Sequence, residues 1–208
     1  MNYDLLISFV LATSTLAIAP GPDNIYVLMQ SLVHGKKSGL ATVFGLISGC
    51  LVHTNLVAFG VTVIIKSNDN LYFALKLFGA AYLLYLAYKV FKSNAEISLN
   101  NTNIPKKSIK QLFKQGFIMN VLNPKVSIFF LAFFPGFLFS KTLSTVLQFY
   151  VLGLIFMAVS FVIFSSIAIL SGSISSYIKQ HQGVGVILKW LQITVFVGIA
   201  ILILASKK

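Results

Sequence analysis

Six long apolar segments alternate with short polar stretches along the chain. Each segment reaches the roughly 20 residues that are needed to cross the hydrocarbon core of a bilayer. The pattern therefore predicts an all-α integral membrane protein with six transmembrane helices. The segments are Leu5–Val33, Gly39–Ile65, Leu71–Phe91, Leu112–Phe139, Leu143–Leu170 and Gly183–Ala205.

Composition agrees with this pattern. Of the 208 residues, 57% are hydrophobic and 10% are charged, and the mean hydropathy is +0.90, far from the values of soluble domains. The net charge of +12 comes from lysines, most of which lie between the segments. This distribution indicates positive-inside topology in a lipid bilayer and not a nucleic-acid partner. The single cysteine, Cys50, excludes a disulfide framework.

The lysines also predict an orientation, because cytoplasmic loops of membrane proteins are rich in Lys and Arg. Counting alternate sides of the membrane puts the larger group inside the cell and both chain ends outside. If the first segment fails to span fully, the N-terminus lies inside instead. The lysine-rich side holds Lys36, Lys37, Lys89, Lys92, Lys106, Lys107, Lys110, Lys114, Lys179 and Lys189.

A polar stretch at residues 92–110 divides the chain. We interpret it as a basic cytoplasmic linker between two three-helix halves, 1–91 and 111–208, of one transmembrane domain. Helix-breaking or small residues recur at an offset of about 104 residues, which predicts inverted repeats with a broken first helix in each, as in many secondary transporters. The recurring pairs are Pro20 with Pro124, Gly49 with Gly153, and Gly79 with Gly183.

Two helix breaks fall where membrane spans are expected. Pro20-Gly21-Pro22-Asp23 interrupts the first segment, and Asn123-Pro124-Lys125 interrupts the fourth. Irregular backbone at membrane depth is tolerated where it is buried in protein or lines a watery cavity. A proline leaves a carbonyl unpaired about one turn earlier, and we expect that carbonyl to accept a bond from a ligand ammonium. An ordinary kink satisfied by neighbouring helices is the alternative.

Each break carries a charge, Asp23 in the first and Lys125 in the second. Such residues cost about 2.5–3.5 kcal/mol each at the centre of a membrane helix, so each needs a partner or a role. The two could pair and hold the bundle together, or they could flank a cavity for an amino acid, with the pair forming when substrate is absent. Alternatively, Asp23 or Asn24 caps the helix that restarts after the break.

His53 continues a stripe of small residues that includes Gly45 and Gly49. Such a stripe predicts close approach of another helix, within the chain or in a second copy. His53 is either bonded to that helix or, like Asp23, a candidate proton carrier. Gly79 and Gly153 are further candidates for helix packing. The candidate substrate-binding residues are Pro20, Gly21, Pro22, Asp23, Asn24, Tyr82, Asn123, Pro124 and Lys125.

Taken in order, these motifs resemble the lysine exporter superfamily (LysE/RhtB) of amino-acid efflux proteins, over almost the whole chain. The motifs are Ala19-Pro20-Gly21-Pro22, Gly35-Lys36-Lys37-Ser38-Gly39-Leu40, Gly45-Leu46-Ile47-Ser48-Gly49, Gly79-Ala80-Ala81-Tyr82-Leu83-Leu84-Tyr85-Leu86, Gly116-Phe117, and Asn123-Pro124-Lys125 followed by Phe129-Phe130-Leu131-Ala132-Phe133-Phe134-Pro135. The resemblance implies a dimer in the bacterial inner membrane that exports amino acids such as homoserine, threonine, homoserine lactone or lysine, driven by protons.

The rival hypothesis is a transporter of another small solute or of a metal ion on the same fold. A membrane enzyme or metal handler would need a nucleophile with a base, or a cluster of metal ligands. The chain has four acidic residues, three histidines and one cysteine, and they are mostly scattered. We therefore expect no enzymatic activity, no cofactor and no metal site.

Overall fold

The computed structural model describes residues 2–67, 69–93, 105–181 and 183–205, and these form helices without a β-strand. The predicted all-α membrane class is confirmed. The first half contains α1 (Tyr3–Ile18), α2 (Pro22–His34), α3 (Lys36–Asn55), α4 (Thr62–Ser67) and α5 (Asp69–Lys92). The second contains α6 (Ile109–Val121), α7 (Pro124–Ile128), α8 (Thr145–Ile169), α9 (Ser171–Gln180) and α10 (Val184–Ala205).

Four helical stretches are long and apolar enough to cross a membrane: Lys36–Ile64, Asp69–Lys92, Thr145–Ile169 and Val184–Ala205. Two bent pairs bring the number to six if each pair is one span. The bend is 60° between α1 and α2, and 49° between α6 and the segment that begins at Pro124. The bends lie at the two proline breaks that the sequence predicts.

Each half thus contains a bent pair followed by two long helices, and the inverted relation of the halves stays a prediction. The fixed offset does not hold throughout. Gly79 lies within α5 and packs against Ala132, whereas Gly183 precedes α10 and would leave an added Cβ in open space. The expected equivalence of Gly79 and Gly183 is therefore wrong, because the short helix α9 and the turn after it shift the last helix along the sequence.

Two contacts show which elements share an end of the molecule. The backbone N–H of Asn2 donates to the carbonyl of Phe139 at 2.8 Å, so α1 begins beside the loop that contains Lys141. At the other end, the Lys189 ammonium donates to the carbonyl of Ser93 at 2.7 Å. In the predicted topology Lys189 belongs to the lysine-rich side, whereas Lys141 lies on the opposite side. Residues 94–104 of the predicted linker lie outside the described residues.

Close packing of α3 on α6 holds the two halves together. An added Cβ at Gly45 would overlap the backbone carbonyl of Phe113, and one at Gly116 would overlap that of Thr42. At Gly49 it would lie 2.7 Å from Oδ1 of Asn120. The helix partner of the small-residue stripe is thus within the same chain.

Large apolar side chains cover the outer surfaces of the helices. Phe59 and Phe78 are 60% and 63% exposed, and Leu154 is 60% exposed. On a soluble domain such side chains would form a large apolar patch. On helices that cross a membrane they face lipid, which agrees with the low charge of the chain.

Candidate functional site at the two helix breaks

The two helix breaks meet inside the bundle. The side-chain amide of Asn123 donates to Oδ2 of Asp23 at 2.7 Å, a contact between residues 100 positions apart in the chain. Asp23 is 6% exposed and Asn123 8%. The two breaks therefore lie next to each other, as the sequence-based hypothesis of a shared cavity requires.

The side chain of Lys125, a residue of α7, binds the C-terminal end of α1. A proline at position 20 cannot donate to the carbonyl of Leu16, so that carbonyl needs another partner. The Lys125 ammonium donates to the carbonyls of Leu16 at 3.1 Å and Ala19 at 3.3 Å. A cation at this end also complements the negative end of the helix dipole. The simple Asp23–Lys125 pair is thus replaced by an arrangement in which each charge binds a neutral partner.

Neither Asp23 nor Asn24 caps α2, so that alternative is wrong. The N-cap is Gly21, which makes no side-chain cap bond. The Asp23 carboxylate faces Asn123, and the Asn24 amide donates to the carbonyl of Ala17 at 2.8 Å. Both side chains therefore bind across the breaks instead of along their own helix.

The carbonyl freed by Pro124 already has partners. It belongs to Asn120, and it accepts from the backbone N–H of Asn123 at 3.0 Å and from Nε2 of His53 at 3.1 Å. Because a carbonyl only accepts, Nε2 carries the proton in this bond. The expectation that this carbonyl is free for a ligand ammonium is wrong. His53 is 3% exposed and packs 5.4 Å from the ring of Phe130.

A cavity of about 30 Å³ lies between the breaks. Apolar side chains, including Phe156 and Phe164 of α8, form part of its wall. This volume holds one or two water molecules and is several times smaller than an amino acid. The polar residues that line the cavity are Asp23, Asn24, Asn120, Asn123, Lys125 and Ser160.

A wider vestibule of about 370 Å³ adjoins the cavity. Gly21, Asn123 and Lys125 line both spaces, so Lys125 stands between them. The wall of the vestibule also includes Lys89 and Ser93, at the lysine-rich end of α5. The vestibule thus leads from the end predicted to be cytoplasmic toward the cavity.

A block of buried phenylalanine rings adjoins the cavity through Phe156. Its ring centre lies 4.8 Å from that of Phe130 and 5.5 Å from that of Phe129, and Phe130 stacks on Phe134 at 4.1 Å. The backbone at Phe129–Phe133 is π-helical, a conformation frequent at functional sites. We call these four rings the phenylalanine block.

Several candidate residues lie elsewhere. Pro20 borders an apolar groove beside α8 and α9. Tyr82 is half-buried on α5, with its ring 6.1 Å from that of Tyr85, and among the described residues that line the cavity and the vestibule neither tyrosine occurs. Gly153 packs against Thr54, where an added Cβ would lie 2.5 Å from its hydroxyl oxygen.

Sequence reasoning missed two cavity residues, Asn120 and Ser160. Asn120 precedes Pro124 by one helical turn, and that spacing could have indicated it. Ser160 lies between Phe156 and Phe164 at four-residue spacing on α8, a polar position between two aromatic ones on the same helix face.

Known proteins with similar sequences include efflux proteins. A homoserine/homoserine lactone efflux protein of Salmonella typhimurium (strain LT2) is 28% identical over 179 residues, 86% of each chain. The protein of that description from Salmonella typhi gives the same values. The uncharacterized membrane protein YrhP of Bacillus subtilis (strain 168) is 31% identical over 141 residues, 64% of this chain and 67% of the relative.

No solved structure gives a significant match. The family model described as LysE type translocator matches residues 14–207, nearly the whole chain. This agrees with the motifs at both helix breaks and with the multi-pass helical architecture. The chain belongs to the LysE type translocator family.

Proposed function

We propose that this protein exports amino acids or close derivatives, such as homoserine, threonine, homoserine lactone or lysine, across the bacterial inner membrane. The observation that carries the proposal is the pair of opposite charges, Asp23 and Lys125, on one cavity between two helix breaks. A ligand with both charges suits this site, as each of these substrates has except homoserine lactone, whose neutral ester carbonyl can accept from Lys125 instead. Broken helices at mid-depth are a common way to build such sites in secondary transporters. The efflux proteins among the relatives agree with this proposal.

The Lys125 ammonium has partners that a substrate carboxylate can replace, and the Asp23 carboxylate has room for a second partner beside Asn123. The substrate carboxylate would take the Lys125 ammonium from the carbonyls of Leu16 and Ala19. The substrate ammonium would bind the Asp23 carboxylate, which Asn123 holds in position at 2.7 Å. Because existing hydrogen bonds are exchanged for new ones, the net free energy of substrate binding is small. Weak net binding allows a transporter to release its substrate.

Alternating access would open the cavity to one side at a time. The vestibule at Lys89 and Ser93 is the proposed entrance from the cytoplasm. The phenylalanine block, which touches the cavity at Phe156, is the proposed barrier toward the outside. Movement of its π-helical backbone would clear the exit.

Proton antiport is the proposed energy source. Asp23 is the proposed carrier because it lines the cavity, where its protonation would weaken its hold on the substrate ammonium. His53 is the competing carrier, but its bond to the Asn120 carbonyl favours a role in packing. A homodimer is part of the proposal, since the resemblance implies one.

A transporter of another small solute or of a metal ion is the alternative. The Lys125 ammonium on the cavity wall opposes a metal cation and favours a ligand with a carboxylate. Transport, and not catalysis, is the proposed activity, because the family is one of translocators.

An export assay in a bacterial host that is sensitive to excess amino acids tests the proposal. Cells that produce this protein should resist the toxic amino acid or dipeptide that it exports and should accumulate it outside. Cells that produce Lys125→Met at equal membrane abundance are the matched control. Equal sensitivity of both strains across the proteinogenic amino acids, homoserine and homoserine lactone would overturn the proposal.

A further inference from the structure

We propose that Asn120 and Ser160 bind the substrate side chain and determine specificity, favouring a short side chain with a hydroxyl group over an apolar or a cationic one. This inference rests on the proposed transport function and extends it to residues that set specificity. Both residues line the cavity that Asp23 and Lys125 share.

Two buried oxygen atoms at the cavity lack partners. Asn120 and Ser160 are 2% and 1% exposed, yet Oδ1 of Asn120 and Oγ of Ser160 have no hydrogen-bond partner within the described part of the chain. Cys50 also lines this cavity and its sulfur lies beside the Asn120 side chain. Its single proton is donated to the carbonyl of Leu46 at 3.6 Å, so Oδ1 of Asn120 receives no donor from it. Buried polar groups are normally paired, and the exceptions call for an explanation.

The unpaired atoms come from two walls. Asn120 lies in the last turn of α6 before the break, fixed there by the bond between its carbonyl and His53. Ser160 lies on α8, one turn from Phe156 and one turn from Phe164. With the substrate's two charges on Asp23 and Lys125, the rest of the ligand meets these polar atoms within an aromatic frame.

A hydroxyl group matches these atoms best. It both donates and accepts, so it can bond the Asn120 amide and the Ser160 hydroxyl together. A methyl group in its place leaves both atoms unpaired, and sites built for a hydroxyl reject such analogues strongly. A second ammonium would add a positive charge near Lys125, while the one carboxylate among the described lining residues, Asp23, is already engaged.

The test compares three amino acids of equal chain length: homoserine, norvaline and 2,4-diaminobutyrate, which end in a hydroxyl, a methyl and an ammonium. The full chain is reconstituted in liposomes, and the exchange of internal radiolabelled homoserine for each external amino acid is measured. We expect the wild type to prefer homoserine by about tenfold or more over each of the others. Ser160→Ala and Asn120→Leu should each reduce the preference over norvaline several-fold.

Ser165→Ala is the matched control. Ser165 lies on the same helix, and its hydroxyl is also buried without a described partner, but it does not line the cavity. Removal of the Ser165 hydroxyl should leave the preference for homoserine unchanged. A change of preference in Ser160→Ala but not in Ser165→Ala would therefore reflect substrate recognition and not the removal of a buried unpaired hydroxyl. Thermal unfolding checks the fold, and Ser160→Ala decides the question if Asn120→Leu does not fold.

Norvaline exchange at the homoserine rate in the wild type would overturn the inference and leave transport standing. A uniform loss for all three amino acids in Ser160→Ala or Asn120→Leu would also overturn it, because it would assign these residues to the common amino or carboxyl group. Absence of homoserine exchange in a protein that exports other amino acids from cells would overturn this inference alone, whereas absence of export of every proteinogenic amino acid and of homoserine would overturn the transport proposal itself.

Discussion

Replacing Lys125 with methionine should abolish transport and leave the protein folded. Methionine has a similar length and no charge, so it fills the space of the lysine stem without an ammonium at the cavity. In the structure this ammonium donates to the carbonyls of Leu16 and Ala19. In the proposed transport cycle it also binds the substrate carboxylate.

The two effects of Lys125→Met differ in size. The protein loses two charged hydrogen bonds of about 1.5–3 kcal/mol each, but the cost of burying an ammonium is relieved, which offsets part of the loss. We expect the free energy of unfolding to fall by only about 1–3 kcal/mol. The substrate loses a charged partner, which costs about 2–5 kcal/mol, so homoserine exchange should fall about 30-fold or more.

Lys189→Met is the matched control for this experiment. The Lys189 ammonium also donates to a backbone carbonyl, that of Ser93, and lies 5.7 Å from the ring centre of Phe91. The Lys125 ammonium lies 5.5 Å from the ring centre of Phe196 in the same way. Lys189 does not border the cavity, so its variant should exchange homoserine at the wild-type rate.

Homoserine exchange in liposomes and thermal unfolding in detergent are measured for both variants. Exchange by folded Lys125→Met at the wild-type rate would refute the reasoning, and Lys125 would then be only a cap for α1. A loss of exchange in both variants would show that exchange is lost through reduced stability and not through the loss of a substrate contact.

Gly45→Ala should lower the free energy of unfolding by about 2 kcal/mol or more, because the new methyl group overlaps the backbone of α6. Gly198→Ala is the control and should not lower it, because Gly198 has open space around it. Equal unfolding temperatures of the two variants would contradict the packing of α3 on α6. Asp23→Asn should stop net export but permit amino-acid exchange, because the neutral amide resembles the protonated carboxyl group. If vesicles with an imposed pH gradient still concentrate substrate through Asp23→Asn but not through His53→Ala, the proton carrier is His53. Phe156→Ala should widen the cavity and admit larger amino acids such as leucine, as measured by competition with homoserine; unchanged selection by size would exclude this ring as a wall of the site.

The helices and their breaks could be predicted because their causes are local. Apolar runs of sufficient length predict spans, and prolines at positions 20, 22 and 124 break the hydrogen bonding of any helix that contains them. Both bends occur at these positions. The small-residue stripe of α3 also faces a close helix, because glycine is what allows backbones to approach.

The partners at the breaks could not be predicted, since they depend on how distant segments pack. Lys125 binds carbonyls more than 100 residues earlier in the chain, and His53 binds the carbonyl of Asn120, 67 residues away. No local pattern indicates such pairings. The same limit applies to the vestibule, whose walls come from segments far apart in the sequence.

An experimental structure with bound homoserine tests the central claim most directly. The amino acid should lie between the two breaks, with its carboxylate on the Lys125 ammonium and its ammonium on the Asp23 carboxylate. The bonds from Lys125 to the carbonyls of Leu16 and Ala19 should then be broken. Homoserine bound elsewhere, with the bonds of Lys125 to these two carbonyls intact, would contradict the account.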